Sequence, residues 1–237
     1  MAARARSTAP GPVAVQAGDD DGAGGGGGGW RTRQQILSAA ERLFAERGIE
    51  GVSLREINRA ASQGNTNAVK YHFGDRDGVI RAILDKHRRD SEPRRHALLD
   101  QYEETGADDL RALSAALVLP LAAKLTDPDG GREYLQIASQ FYTRAVPPEE
   151  LVPRKDPNSS MLRWHRRLSR VVPVEETTIL HSRYPAIRFA LVELARRAAG
   201  RPHRDDRLFT SHLIDLVTAI LSATPSAQTR RLAQRRR

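Results

Sequence analysis

The sequence contains no cysteine, which excludes disulfide bonds, thiolate zinc sites and cysteine nucleophiles. Aromatic residues make up only 5% of the chain. No apolar run approaches the ~20 residues that a membrane-spanning helix needs, and no apolar signal segment opens the chain. We therefore expect a cytoplasmic protein that makes no contact with a membrane.

Signs of an enzyme are also missing. The seven histidines show no spacing typical of a metal site, and His87 and His96 are predicted to be ordinary surface residues. Paired acids such as Asp108-Asp109 precede predicted helices, where they complement the helix dipole. No glycine-rich phosphate loop follows a strand. We expect no catalytic residues, no metal and no cofactor.

Positive charge, in contrast, is plentiful and unevenly placed. The formal net charge is +9; residues 31–90 hold twelve basic and eight acidic residues, and residues 230–237 hold five arginines and no acid. A basic excess concentrated in one folded segment and one tail is typical of proteins that bind a polyanion. Solubility alone would also account for the charge, so charge does not decide the function.

The composition divides the chain into four parts. Residues 1–29 end in six consecutive glycines, cannot bury enough apolar surface to fold, and are predicted to be disordered, so that structure begins near Trp30. Residues 30–75 form the first folded domain and residues 76–225 the second. Residues 226–237 form a basic tail that we expect to be frayed.

Between these ends the pattern is helical, and the predicted fold class is all-α. Ile36, Ala40 and Leu43 follow the spacing of one buried helix stripe, and Ser53 with Glu56 matches a capping box for a second helix. Pro93 is expected to kink or end a long helix that follows Asp75. Further helices are predicted at about 108–126, 131–145, 159–170, 174–199 and 206–223.

Three short helices within residues 31–73 match the outline of a helix-turn-helix. The predicted recognition helix runs from Asn65, its capping residue, to Phe73. It is polar at its start, as a helix that reaches base edges in the major groove must be. Val69 and Phe73 are four residues apart and can anchor it to the core.

At this point the sequence resembles the TetR (tetracycline-repressor-like) transcriptional regulators over about residues 31–85. The resemblance rests on the stripe from Ile36 to Gly48, the segment VSLREI at 52–57 and the segment AVKYHFGDRDGV at 68–79. It implies an all-α homodimer with an N-terminal DNA-binding domain, and a C-terminal helical domain for dimerisation and ligand binding. Such a protein binds a near-palindromic double-stranded DNA operator and usually responds to a small-molecule effector.

Carried over by position, the resemblance places the DNA contacts at the start of the second helix, along the recognition helix and at the start of the fourth helix. These residues are Ser53, Arg55, Asn65, Thr66, Asn67, Lys70, Tyr71, His72 and Arg76. Lys70 departs from the family, which commonly has Tyr at that position, and the turn at residues 62–64 is about one residue longer than usual. Arg76 could instead pair with a surface acid.

The second domain carries two further expectations. Two apolar helices near the C-terminus are expected to form the dimer interface, through Leu191, Leu213, Leu216, Val217 and Ile220, although part of this stripe must pack within the chain. The larger side chains between residues 108 and 199 could line an effector pocket or simply form the core. They are Tyr134, Ile137, Phe141, Trp164 and Phe189.

Two functions compatible with DNA binding remain open. The first is a sequence-specific repressor released by an effector. The second is an architectural or non-specific DNA-binding protein without an effector, which would use the basic tail and would bind with a steep salt dependence.

Overall fold

The computed structural model describes residues 25–62, 67–106, 108–143, 156–172 and 183–235. These residues form helices and no strands, so the predicted all-α class is confirmed for the described part of the chain. The helices are α1 (Gly25–Arg47), α2 (Leu54–Ala60), α3 (Ala68–Phe73), α4 (Arg76–Thr105), α5 (Leu110–Ala122), α6 (Gly131–Tyr142), α7 (Ser160–Val171), α8 (Arg183–Ala199), α9 (Arg207–Ser222) and α10 (Ala227–Gln234). None of them is long and apolar enough to cross a membrane.

Helix α2 begins where local chemistry favours a helix start. Ser53 and Glu56 form the predicted capping box, in which the Ser53 hydroxyl accepts the Glu56 amide and the Glu56 carboxylate accepts the Ser53 amide. Asn67 is the capping residue of α3. The predicted cap Asn65, together with Thr66, lies outside the described residues.

Helix α4 continues through the proline at which it was predicted to kink or end. It begins at the capping residue Asp75, whose carboxylate accepts the Gly78 amide at 2.7 Å, and runs through Pro93 to Thr105. The prediction that Pro93 could end this helix is wrong. Packing stabilises the helix around the proline, since His87, Ser91, Arg95 and Leu99 are all buried along one side of it.

The two ends of the chain also differ from expectation. Helix α1 begins at Gly25, five residues before Trp30, because adding turns to a nucleated helix costs less than starting one. In the tail, Ser226 accepts the Thr229 amide at 3.2 Å, and α10 follows over residues predicted to be frayed. Helix α8 is described from Arg183, and the earlier start predicted at residue 174 lies outside the described residues.

Helices α5, α6 and α7 pack against α4, while α8 packs mainly against α6 and α9 packs against α5 and α8. Trp164 on α7 is fully buried, and its indole Nε1 donates to the Leu113 carbonyl of α5 at 2.8 Å. Arg132 on α6 donates to the Ala198 carbonyl at 2.5 Å and to the Gly200 carbonyl at 2.6 Å, which satisfies the C-terminal end of α8. These side-chain bonds fix the order in which the helices stack.

Candidate DNA interface and its link to the regulatory helices

Helix α3, which the sequence predicts to be the recognition helix, is anchored from below by α2. Asn58, buried on α2, accepts the Val69 amide of α3 through its side-chain oxygen at 3.0 Å. Val69 is itself fully buried, and Phe73 is half-buried beneath the Arg33 guanidinium, whose carbon lies 5.0 Å from the ring centre. A hydrogen bond at the start of a six-residue helix and apolar contacts along it fix its orientation on α2.

The junction between α3 and α4 explains two glycines of the motif. Gly74 has φ of +77°, a conformation that side chains disfavour. At Gly78 an added Cβ would overlap the Phe73 carbonyl oxygen, so any larger residue would push the start of α4 away from α3. The glycines therefore set the angle at which α3 leaves the body of the protein.

The side chains predicted to contact DNA mostly face solvent in this arrangement. Tyr71 has 84% of its surface exposed, and its ring packs edge-on against His72 at 5.0 Å between centroids. Four more of the described set are exposed, and His72 and Arg76 are half-buried; the exposed four are Ser53, Arg55, Asn67 and Lys70. One surface thus brings together the starts of α2 and α4 and the whole of α3.

Arg76 has partners within the chain. Its Nη1 donates to the Glu50 carboxylate at 2.8 Å and its Nη2 to the Val52 carbonyl at 3.1 Å. These bonds hold the loop before α2 against the start of α4. The alternative in which Arg76 pairs with an acid therefore matches the structure, and its predicted phosphate contact stays a prediction.

The capping box also affects charge at this surface. Hydrogen bonds from the Ser53 amide and hydroxyl lower the pKa of the Glu56 carboxyl, and the Arg47 charge adds to the effect. Glu56 therefore stays ionised and is tied to Ser53 and Arg47, from which its carboxylate accepts hydrogen bonds. The negative charge of Glu56, beside the predicted phosphate contacts, is thus balanced by the positive charge of Arg47.

A buried polar group joins α1 to α4 and to the segment before α6. Glu41 on α1 is buried, and its carboxylate accepts from His87 Nε2 at 3.0 Å and from Lys86 Nζ at 3.1 Å. Lys86 also donates to Asp129 at 2.8 Å. The prediction that His87 is a surface residue is wrong, because its ring is 1% exposed and stacks on Tyr134 at 4.4 Å.

A second bond joins the two domains nearby. The backbone amide of Ile49, just after α1, donates to the Gln140 side chain of α6 at 2.9 Å.

Burial alone would lower the pKa of Lys86, but its bonds to Asp129 and the Glu41 charge outweigh burial and raise it. The charged lysine and these bonds connect the DNA-binding helices to α4 and α6. Neither Gln140 nor Glu41 belongs to a sequence motif, so their contacts could not be predicted from sequence patterns.

The residues predicted to line an effector pocket belong to the core. Tyr134, Ile137, Phe141 and Trp164 are buried, and Phe189 packs against them half-buried. The sequence leaves core and pocket open for these five residues, and in the structure they are part of the apolar core or pack against it.

The predicted dimer residues divide into two groups. Leu191, Leu213 and Val217 are at most 2% exposed and pack within the chain. Leu213 and Val217 face inward because α9 packs on α5 and α8 with that side. Leu216 is 37% exposed and Ile220 is half-buried, and two apolar residues not predicted, Val192 and Leu208, are also exposed.

Comparison with known proteins agrees with this architecture. The profile of the family described as "Bacterial regulatory proteins, tetR family" matches residues 36–83, which run from α1 into α4. The HTH-type transcriptional repressor AcnR of Corynebacterium glutamicum is 38% identical over 52 residues, as is AcnR of Corynebacterium efficiens. Each match covers 22% of this chain and 27% of the relative, so the chain spans about a quarter of their length.

Two solved structures are similar over more of the chain. A HlyIIR mutant protein aligns with 82% of this chain and 97% of its own, at 17% identity and a TM-score of 0.49. A putative TetR-family transcriptional regulator from Rhodococcus sp. aligns with 81% and 100%, at 19% identity and a TM-score of 0.46. The family profile and the AcnR segments thus show similarity to tetR-family regulatory proteins over the N-terminal helices of this chain.

Proposed function

We propose that this chain is a homodimeric transcriptional repressor that binds a near-palindromic operator in double-stranded DNA and is released by a small-molecule effector. The observation that carries the proposal is the exposed polar surface of α3, held from below by the bond between Asn58 and the Val69 amide. Matching relatives are named as repressors, which supports the same direction of control.

The surface has what a major-groove reader needs. Lys70 and Tyr71 point to solvent from a short helix, and Asn67 lies exposed at its start. Ser53 and Arg55 at the start of α2 are placed to contact phosphates, because the first amides of a helix attract anions. Base contacts from α3 and backbone contacts from α2 together are the arrangement by which helix-turn-helix proteins bind DNA.

Dimer formation is supported by exposed apolar side chains on the two C-terminal helices. Leu208, Leu216 and Val192 leave apolar surface open to water on α9 and α8. A symmetric dimer would cover this surface with the same residues of a second copy. Two copies of α3 would then face two half-sites separated by about one helical turn, ~34 Å, or a multiple of it.

Effector control is supported by the bonds between the domains. Any ligand that binds the regulatory helices better in a DNA-incompetent state must weaken DNA binding by the same coupling factor. The contacts of Glu41 with α4 and of Ile49 with Gln140 are the short connections through which a shift of α4 or α6 would move α1.

Selection of bound DNA from a random pool tests the proposal. Recovery of one inverted repeat, bound by the dimer, is the expected result. The alternative, an architectural protein using the arginines of α10, predicts no consensus sequence and a steep loss of affinity with salt. Removal of residues 226–237 separates the two, because a repressor keeps its sequence preference without them.

A further inference from the structure

Arg95, in the middle of α4, is a buried basic residue. Its side chain lies in the core with 3% of the residue exposed. Nε donates to the Ala116 carbonyl of α5 at 3.2 Å, and Nη1 donates to the Ser160 hydroxyl of α7 at 2.9 Å. A guanidinium has five N–H donors, so these two bonds leave most of its donors uncommitted.

No carboxylate within the described residues forms an ion pair with Arg95. The charge of Glu92, three residues earlier, acts on Arg95, but the Glu92 carboxylate accepts the Ser160 amide at 2.6 Å and lies 3.7 Å from His96 Nε2. A buried charge without a paired anion costs several kcal/mol. Arginine cannot relieve this cost by losing its proton at ordinary pH.

The groups around Arg95 are suited to hold an anion. Burial raises the pKa of Tyr134 and Tyr142 of α6, so both phenols stay protonated and can donate. Both lie close enough to Arg95 for its charge to oppose part of this rise. Arg88, two turns before Arg95 on the same side of α4, also acts on Tyr142, and its buried Nε has no partner.

On α7, His165 completes the set. Its Nδ1 is buried and has no hydrogen-bond partner. Burial lowers the pKa of His165 to about 4, and the charges of Arg183 and Arg95 add to the effect, so the ring is neutral. His165 and Tyr142 are half-buried, so the cluster extends from the core toward the surface.

We propose that Arg95, with Tyr134, Tyr142 and His165, binds a small organic anion, a carboxylate or a phosphate ester, between α4, α6 and α7. The inference rests on the proposed function in one respect: it makes this anion the effector. An anion would pair with the buried guanidinium through charge-assisted hydrogen bonds and thereby remove the cost of its isolation. Because α4 also carries His87, which contacts Glu41, a ligand at Arg95 acts on the helix that contacts α1.

The test uses the full-length dimer and four probes: benzoate, phenyl phosphate, and their neutral analogues benzamide and phenol. At millimolar concentrations, at least one anion is expected to raise the melting temperature, and its neutral analogue is not. Arg95→Gln should weaken the binding of that anion about tenfold or more, since it removes charged hydrogen bonds. Arg94→Gln, which removes the same charge from an exposed neighbour, should leave binding unchanged.

Arg95→Lys, Tyr142→Phe and His165→Asn provide the same comparison if Arg95→Gln does not fold. Each should weaken anion binding without loss of the dimer. The proposal is overturned if neither anion shifts the melting temperature of the wild type, or if all these variants respond as the wild type does. Operator affinity is measured in parallel. An Arg95-dependent thermal shift with unchanged operator affinity upholds the site and contradicts only its role as effector site.

Discussion

The carboxylate of Glu41 on α1 and the ring of His87 on α4 meet in the core, with Nε2 3.0 Å from Oε1. Both side chains are at most 3% exposed, and they are 46 residues apart in sequence. This contact joins α1, in the proposed DNA-binding domain, to the long helix α4. A shift of α1 or α4 relative to the other would therefore strain or break a buried charged hydrogen bond.

Removing the histidine should destabilise the protein. His87→Ala removes one of the two donors to the buried Glu41 Oε1, which then keeps the longer bond from Lys86 Nζ at 3.2 Å. We expect a loss of about 1–3 kcal/mol in the free energy of unfolding, measured by urea denaturation. Arg89→Ala, on the exposed side of the same helix, is the control and should change stability little. Equal stability of the two variants would contradict the role assigned to this contact.

Asn58 should matter for DNA binding more than for stability. Asn58→Ala removes the acceptor of the Val69 amide and frees the start of α3, so operator affinity should fall. Ile57→Val, a neighbouring buried change costing roughly 0.5–1.5 kcal/mol, is the matched control, because it leaves that bond intact. Binding isotherms with the selected operator compare the two. A similar affinity loss in both would mean that general destabilisation, not the orientation of α3, is responsible.

Adjacent residues of α9 should give opposite results. Leu216→Glu places a charge on an exposed apolar surface and should yield folded monomers, whereas Val217→Glu places it in the core and should unfold the chain. Sedimentation and circular dichroism distinguish these outcomes. A folded dimer of the Leu216→Glu variant would exclude this face of α9 as the dimer interface.

Stability should fall on mild acidification because of His165. In the unfolded chain this histidine takes up a proton near pH 6.5, but in the folded chain burial and two arginines hold its pKa at about 4. The unfolded state therefore binds more protons below pH 6.5, and stability is lost as the pH falls from there toward 4, by up to about 3 kcal/mol. His165→Asn should flatten the pH dependence in this window; an unchanged profile would show that other groups cause it.

The sequence predicts the parts of this protein that depend on near neighbours. The caps Ser53, Asp75 and Asp109 lie within three residues of the amides from which they accept hydrogen bonds. Helix periodicity is also a local pattern. The all-α class and several helix starts therefore follow from local chemistry. The exposure of Lys70 and Tyr71 likewise follows from the periodicity that buries Val69.

The buried polar contacts could not be predicted in this way. Arg95 meets Ser160 from 65 residues away, and Ile49 meets Gln140 from 91. Which side of α9 faces the core likewise depends on packing against α5, so Val217 and Leu216 could not be separated by hydrophobicity alone. Contacts between distant segments are set by the packing of whole helices, and a local sequence pattern does not predict that packing.

The most direct test of the account is operator affinity for single substitutions on the exposed surface of α3, measured with the selected DNA at several salt concentrations. Asn67→Ala and Lys70→Ala should each cost roughly 1–3 kcal/mol, and Asn67→Ala should relax preference at one position of each half-site. Ser53→Ala should weaken binding to all sequences and lower the salt slope by about one, whereas Arg89→Ala should do neither. If the three surface variants, with fold and dimer intact, bind the operator as the wild type does, α3 is not the recognition helix and the account is wrong.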